Sequence, residues 1–218
     1  MPPQNSQPAV KSNQGMYDLP ADDLVKRDAF DTITDILGNI GSFIFESIEA
    51  IVIALALSVV LYLFLFTPHE VVGRSMFPTY KNGEYLIANK IVYKLQEPKR
   101  GDVIIFKHSP TQDYIKRIIA IPGDTVEILN NHYIVNGEQL DESAYLDSAV
   151  MTSGGEALAE GETITIPEGQ LFVSGDNRPN SSDSRAFGPI DIEAVKGKVW
   201  LVYFPFDSFR FIKDPAYK

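Results

Sequence analysis

The run YIKRIIAIPGD, residues 114–124, alternates in the manner of a β-strand and ends on a proline–glycine turn. Alternation puts Tyr114, Lys116 and Ile118 on one face and Ile115, Arg117 and Ile119 on the other. Runs of the same texture lie on both sides of it. EYLIANKIVY, GDVIIF, TVEILNNHYIVNGEQL, ETITI, QLFVSGD and KVWLVYF are rich in branched and aromatic residues, with turn residues between them. Asn130-Asn131 and Asn136-Gly137 mark a small cluster of hairpins. Helical spacing is hard to find beyond Phe66. The chain after Pro68 is therefore mainly β, as antiparallel sheets or an open barrel. Residues 141–162 (DESAYLDSAVMTSGGEALAEGE) are small, acidic and glycine-bearing, and read as a long surface excursion with little core to offer.

Upstream, Ala50 to Phe66 (AIVIALALSVVLYLFLF) runs 17 residues without a charge. Counted from about Ser47, it spans a hydrocarbon layer of ~30 Å. A cleaved leader would want a basic front and a small-residue exit, whereas the flanks here are acidic before and FTPHEVVG after. The expectation is an uncleaved single-pass anchor over residues 42–67. Ahead of it, Phe30, Ile33, Ile36, Leu37 and Ile40 recur at helical spacing. That suits a helix at the membrane interface, a continuation into the anchor, or a partner contact. Residues 1–25 are polar and proline-spaced and read as a disordered start to a tail that reaches residue 41. Charge alone does not orient the anchor.

The net charge of −10 argues against a nucleic-acid surface. Half of it falls within residues 1–49, which hold three basic and eight acidic residues. No cysteine is present, which excludes disulfides, thiol catalysis and thiolate metal sites. His69, His108 and His132 have no ligand spacing and read as scattered surface histidines.

Lys116 is unusual because it shares a strand face with apolar neighbours. The plain reading is an edge-strand lysine reaching water. The functional one is a buried amine, since desolvation lowers a lysine pKa, in extreme cases to ~5–6, and makes it a usable base. A hydroxyl beside such an amine forms a Ser/Lys pair that needs neither cysteine nor histidine. Ser75, in VVGRSMFPTY (71–80), lies in a turn bounded by Gly73 and Pro78, where a backbone-bonded hydroxyl is the plain alternative. GDNRPNSSDSRAFGPI (175–190) offers Ser181, Ser182 and Ser184 to orient an amine, and Asp183 with Arg185 as an ion pair. Its acidic residues do not follow a calcium-loop pattern.

Four segments together, SMFPT, RGDVIIF, YIKRIIAIPGD and GDNRPNSSDSRAFGPI, resemble in order and spacing the bacterial type I signal peptidases, membrane-anchored serine proteases that use a Ser/Lys dyad. The resemblance runs from the anchor to the C-terminus. It implies Ser75 as nucleophile and Lys116 as general base, later the acid for the leaving amine. It implies Ser181 as the hydroxyl that hydrogen-bonds the lysine, Asp183 and Arg185 as the pair holding the loop, and Gly175 as the glycine packed close to the lysine. The Ser75 N–H is the expected oxyanion donor, with the Gly73 backbone as a further candidate, because Gly73 stands where some members carry a serine hydroxyl. Ala120 replaces a glycine of the motif, a local packing change. Val71, Met76, Tyr114 and Ile115 would line shallow pockets beside a substrate bound as an added strand.

The resemblance further implies secretory preproteins with small residues before the cut as substrates, a catalytic domain outside the cytoplasm, a cytoplasmic tail, and no cofactor or metal. Residues 68–124 and 171–218 would form the catalytic β domain and 125–170 its inserted variable region. The lipid bilayer is a partner, and translocation machinery a further one. Ser75 follows Phe66 by nine residues, a reach of at most ~30 Å, which confines the nucleophile near the membrane. Self-cleaving repressor-type Ser/Lys peptidases and an inactive anchored β domain are the rival readings. The anchor counts against the first, and Ser75, Lys116, Ser181 and Asp183 together count against the second.

Overall fold

The computed structural model describes residues 21–213 together with Pro215 and Tyr217. Most of the expected disordered start thus lies outside the described residues. The chain divides into two units, residues 1–57 and 58–218. Helix α1 (Ala21–Leu65) is continuous for 45 residues, so the amphipathic rhythm and the apolar run form one helix. Within it Thr32–Tyr62 is long and apolar enough to cross a membrane, and none of its most apolar stretch is buried by the chain. Phe43 and Phe45, for example, are each 71% exposed. The hydroxyls of Ser42 and Ser47 donate back to helix carbonyls of Asn39 and Phe43 at 3.0 and 2.7 Å, so neither is left unpaired in an apolar surrounding.

Phe66 and Thr67, which the apolar run had placed in the anchor, begin a strand instead. In β1 (Phe66–Glu70) they pair with Asn89 and Ala88 of β2 (Tyr85–Asn89). The Phe66 ring lies 5.6 Å from that of Trp200. An apolar run cannot show where lipid-facing residues give way to ring-stacking ones.

The β part is antiparallel throughout its named strands. After the single turn α2 (Val92–Leu95) come β3 (Val103–Ser109), β4 (Gln112–Ala120), β5 (Thr125–Leu129), β6 (His132–Val135), β7 (Glu138–Gln139), β8 (Thr163–Thr165) and β9 (Gln170–Ser174). The single turn α3 (Ser184–Phe187) precedes β10 (Ile190–Asp191), β11 (Val195–Phe204) and β12 (Arg210–Phe211). One sheet runs β1-β2-β11-β3-β4-β9-β10, with β12 beside β11; the other runs β7-β6-β5-β8. Both asparagine turns close hairpins: Asn130, Asn131 and Asn136 adopt positive φ of 51°, 66° and 54°, which asparagine tolerates better than most residues.

The large sheet is buried on both faces. Val103 and Ile105 join Leu86, Val199 and Val202 on one side, while Ile104 and Phe106 join Ile118 and Val173 on the other. This is why GDVIIF reads as an unbroken apolar run. A third core joins Ile119 and Phe172 to Val126, Ile128 and Tyr133 of the small sheet.

The excursion contributes more than its composition suggested. Leu158 is fully buried in that third core and Thr152 is 1% exposed. A Cβ on Gly155 would lie 2.4 Å from the Arg185 carbonyl oxygen, so glycine is what lets the segment approach so closely. Polar residues that look solvated in the sequence are here partners for buried charges.

Candidate active site

Strand β4 carries Lys116 opposite Ile104 of β3. On its other side β4 pairs with β9 only from Arg117 onward, starting at Arg117↔Ser174. Gln112–Lys116 therefore presents an open sheet edge. The Ser75 turn is fixed from two directions. Met76 and Tyr80 anchor it in the core at 2% and 0% exposure. From the GDN loop, the Asn177 N–H donates to the Ser75 carbonyl at 2.9 Å and the Asn177 side-chain amide to the Arg74 carbonyl at 3.0 Å. The Thr79 hydroxyl donates to Asp176 at 2.6 Å.

These constraints place the Lys116 Nζ 2.8 Å from the Ser75 Oγ, across 41 residues of sequence. The amine also donates to the Ile115 carbonyl at 3.1 Å. Lys116 is 3% exposed, and burial pushes its pKa down from 10.5 to about 8, partly opposed by the charges of Asp183 and Asp176. Among the described residues no carboxylate pairs with it. Arg117, one residue on, is equally buried but makes a bidentate pair with Asp176 at 2.9 and 2.7 Å and donates to the Gly101 carbonyl. The sequence had set one of these two cations apart for burial; both are buried.

Behind the pair, Asp183 caps α3 and accepts from the Arg185 guanidinium, the Gly175 N–H and the Ser174 hydroxyl at 2.8–3.1 Å. Burial raises its pKa, but Arg185 and these donors outweigh it and hold the carboxyl below the usual range. A Cβ on Gly175 would lie 2.2 Å from Ser181 Oγ and 2.4 Å from the Ser75 carbonyl oxygen. Its nearest neighbours are thus the serine backbone and Ser181 rather than the lysine. Ser181 comes to the site, but on the Asp183 side: its hydroxyl helps lower the Asp183 pKa, and it makes no hydrogen bond to the amine, which is satisfied by Ser75 and Ile115. Ser184 is used elsewhere, accepting from the Val173 N–H at 3.0 Å.

An open cleft of about 320 Å³ lies between His69–Met76 and Asp113–Lys116, with Asn180 and Ser182 at its side. Val71, Met76, Tyr114 and Ile115 all line it. The Gly73 N–H, a candidate oxyanion donor, already donates to the Asn82 side chain at 2.7 Å. The Ser75 N–H has no acceptor among the described residues, which leaves it available. His69 is in the cleft wall rather than at the surface; burial lowers its pKa against the opposing charge of Asp113. Asn82, Asn177 and the chain Thr79–Asp176–Arg117 went unread as site-building residues, since each bonds across a separation that strand patterning does not convey. No group of three or more metal-ligating side chains occurs among the described residues.

All of these positions fall within residues 44–204, which match a family model described as signal peptidase, peptidase S26. This chain belongs to that signal peptidase family. A signal peptidase IB of Staphylococcus aureus (strain MRSA252) is 36% identical over 181 residues, covering 78% of this chain and 94% of that protein. A signal peptidase I of Bacillus caldolyticus is 39% identical over 168 residues, covering 73% and 91%. A crystal structure of a signal peptidase I from Enterococcus faecalis V583 is 35% identical, with 47% of this chain and 97% of that chain covered and a TM-score of 0.39. The chain is a bacterial type I signal peptidase, and hence a serine endopeptidase.

Proposed function

We propose that this signal peptidase removes N-terminal signal peptides from secretory preproteins with Ser75 as nucleophile and Lys116 as general base. The observation that carries this is the 2.8 Å contact between Ser75 Oγ and a buried lysine amine that no carboxylate among the described residues neutralises. The neutral amine takes the Ser75 proton as Oγ attacks the scissile carbonyl. The resulting oxyanion is met by the Ser75 N–H; a second donor would have to come from elsewhere than Gly73, whose N–H Asn82 holds. The Lys116 ammonium then protonates the leaving amine, and the acyl ester on Ser75 remains. Water, deprotonated by the same amine, releases the signal peptide and restores the serine.

Asp183, Arg185 and Gly175 hold the loop against the Ser75 carbonyl. Ser181 as the hydroxyl that orients the amine rests on the motif match and on its buried place beside Gly175 and the Ser75 carbonyl. The substrate pairs with the open edge at Gln112–Lys116, its small side chains against Val71, Met76, Tyr114 and Ile115. Helix α1 anchors the enzyme in the plasma membrane, with residues 1–41 cytoplasmic, the β part outside, and translocation machinery delivering the chain. A catalytic part at residues 68–124 and 171–218 with an inserted region at 125–170 is supported by the separation of the strands into two sheets.

The test is cleavage of a preprotein by the purified protein in detergent beside Ser75→Ala and Lys116→Ala. Each substitution is expected to lower kcat by roughly 10⁴-fold or more. Cleavage by either variant at the parental rate would refute the dyad.

A further inference from the structure

Taking the dyad reading as given, we infer that Glu142 and Tyr145, in the excursion outside the recognised motifs, are positioning residues of the active site. Arg178 of the GDNR segment is the starting point. Its side chain is fully buried, and a buried guanidinium is costly unless its charge is neutralised and its donors are used. The neutralising carboxylate is Glu142, 36 residues away, bound through both terminal nitrogens. Thr152 accepts a further bond at 2.6 Å. A fourth bond runs from Nε to the Gly175 carbonyl at 3.0 Å. Gly175 in turn abuts the Ser75 carbonyl so closely that no Cβ fits between them. Glu142 therefore fixes Arg178, Arg178 fixes the Gly175 peptide, and that peptide forms the wall behind the nucleophile.

Tyr145 makes a second hold on the same loop. Its hydroxyl donates to Glu142 at 2.6 Å and its ring lies 3.8 Å beneath the Arg117 guanidinium. Arg117 holds Asp176, and Asp176 accepts from Thr79 four residues after the nucleophile. The turn at residues 142–145 thus grips both ends of the GDNR segment through two arginines, one on each side of Gly175-Asp176. Neither residue lines the substrate cleft. Their effect should fall on the placement of Ser75 against Lys116 and not on peptide binding.

The experiment uses the full chain in detergent with a preprotein substrate, measuring kcat, KM and thermal midpoint together. Glu142→Gln removes the charge while keeping the shape. Its kcat per folded molecule is expected to fall about 10- to 100-fold, with KM nearly unchanged. Glu142→Asp should restore part of the loss, and Tyr145→Phe, which keeps the ring over Arg117, should lower kcat by about threefold. A double variant, Glu142→Leu with Arg178→Met, separates positioning from stability. Removing both charges restores the thermal midpoint, but the bond to the Gly175 carbonyl is gone, so kcat stays low. Recovery of kcat along with the midpoint in the double variant would overturn the inference. So would parental kcat in both Glu142→Gln and Tyr145→Phe. If Ser75→Ala still cleaves, the dyad itself is wrong; if it does not while Glu142→Gln does, only the positioning role fails.

Discussion

Lys116 and Arg117 are neighbours on β4, equally buried, and they sit in surroundings of opposite character. The buried arginines around the site are each matched: Arg117 has Asp176, Arg178 has Glu142 and Arg185 has Asp183. On the lysine side the amine has a hydroxyl, a carbonyl and the Tyr114 ring at 4.9 Å, but no carboxylate. Paired cations keep their protons and serve as struts. The unpaired one is held where giving up its proton is easy. A carboxylate within reach of Lys116 would restore the ammonium and remove the base, so the three ion pairs also keep nearby carboxylates occupied.

The sharpest way to break this contrast is Lys116→Met. Cleavage should fall by roughly 10⁴-fold while the protein becomes more stable at neutral pH. The folded amine, at about 8, binds its proton less tightly than the unfolded one at 10.5, so the protonated form penalises folding. That penalty is complete below pH 8 and fades as pH rises to 10.5. The gain at pH 7, read by denaturant unfolding, should approach ~3 kcal/mol and vanish above pH 10.5. Equal stability of variant and parent across this window would contradict an unpaired, depressed amine.

Arg117→Met is the mirror experiment. It leaves Asp176, 1% exposed, without its cation, and should cost ~3–5 kcal/mol of stability, visible as a lowered thermal midpoint. A midpoint unchanged by this substitution would mean the two neighbours do not differ as described. The pH dependence of kcat/KM is a third measure. If Lys116 is the base, activity needs the neutral amine and should rise about tenfold per pH unit up to about 8 and level above it. A profile flat between pH 6 and 8 would place the working pKa elsewhere. The smallest expected effect is that of Asn82→Ala, which frees the Gly73 N–H. It should lower stability by ~1 kcal/mol, with a few-fold change in kcat. A larger rate loss would promote Asn82 from a turn tie to a partner in oxyanion binding.

Much of this was legible in the residues. Alternation in YIKRIIAI gave the strand and its two faces, and asparagine pairs gave the hairpins, because both signals are local. Lys116 stood out because a charge among apolar neighbours contradicts its pattern. What could not be read were bonds that join distant segments through ordinary polar residues. Glu142 looked like one acid among many in an acidic stretch, and its value comes from Arg178, 36 residues on. Asn82 looked like a turn residue in KNGE until Gly73 was found to need it. The helix ends at Leu65, two residues before the expected end of the apolar segment, because phenylalanine suits an apolar helix and a sheet edge equally well.

The late start of the β4–β9 pairing has one more consequence. Only Gln112–Lys116 is open on that side, five positions or ~17 Å of extended backbone, before β9 closes the edge at Arg117. The sheet itself is thus a ruler with a stop, and the proposed nucleophile, Ser75, contacts the lysine that stands at the stop. A polypeptide that has already coiled into a helix or collapsed into a domain has no such length of bare strand to lay along it. If the substrate binds as the proposed added strand, processing competes in time with folding of the emerging chain, and the enzyme must reach the cleavage point while that stretch is still drawn out straight.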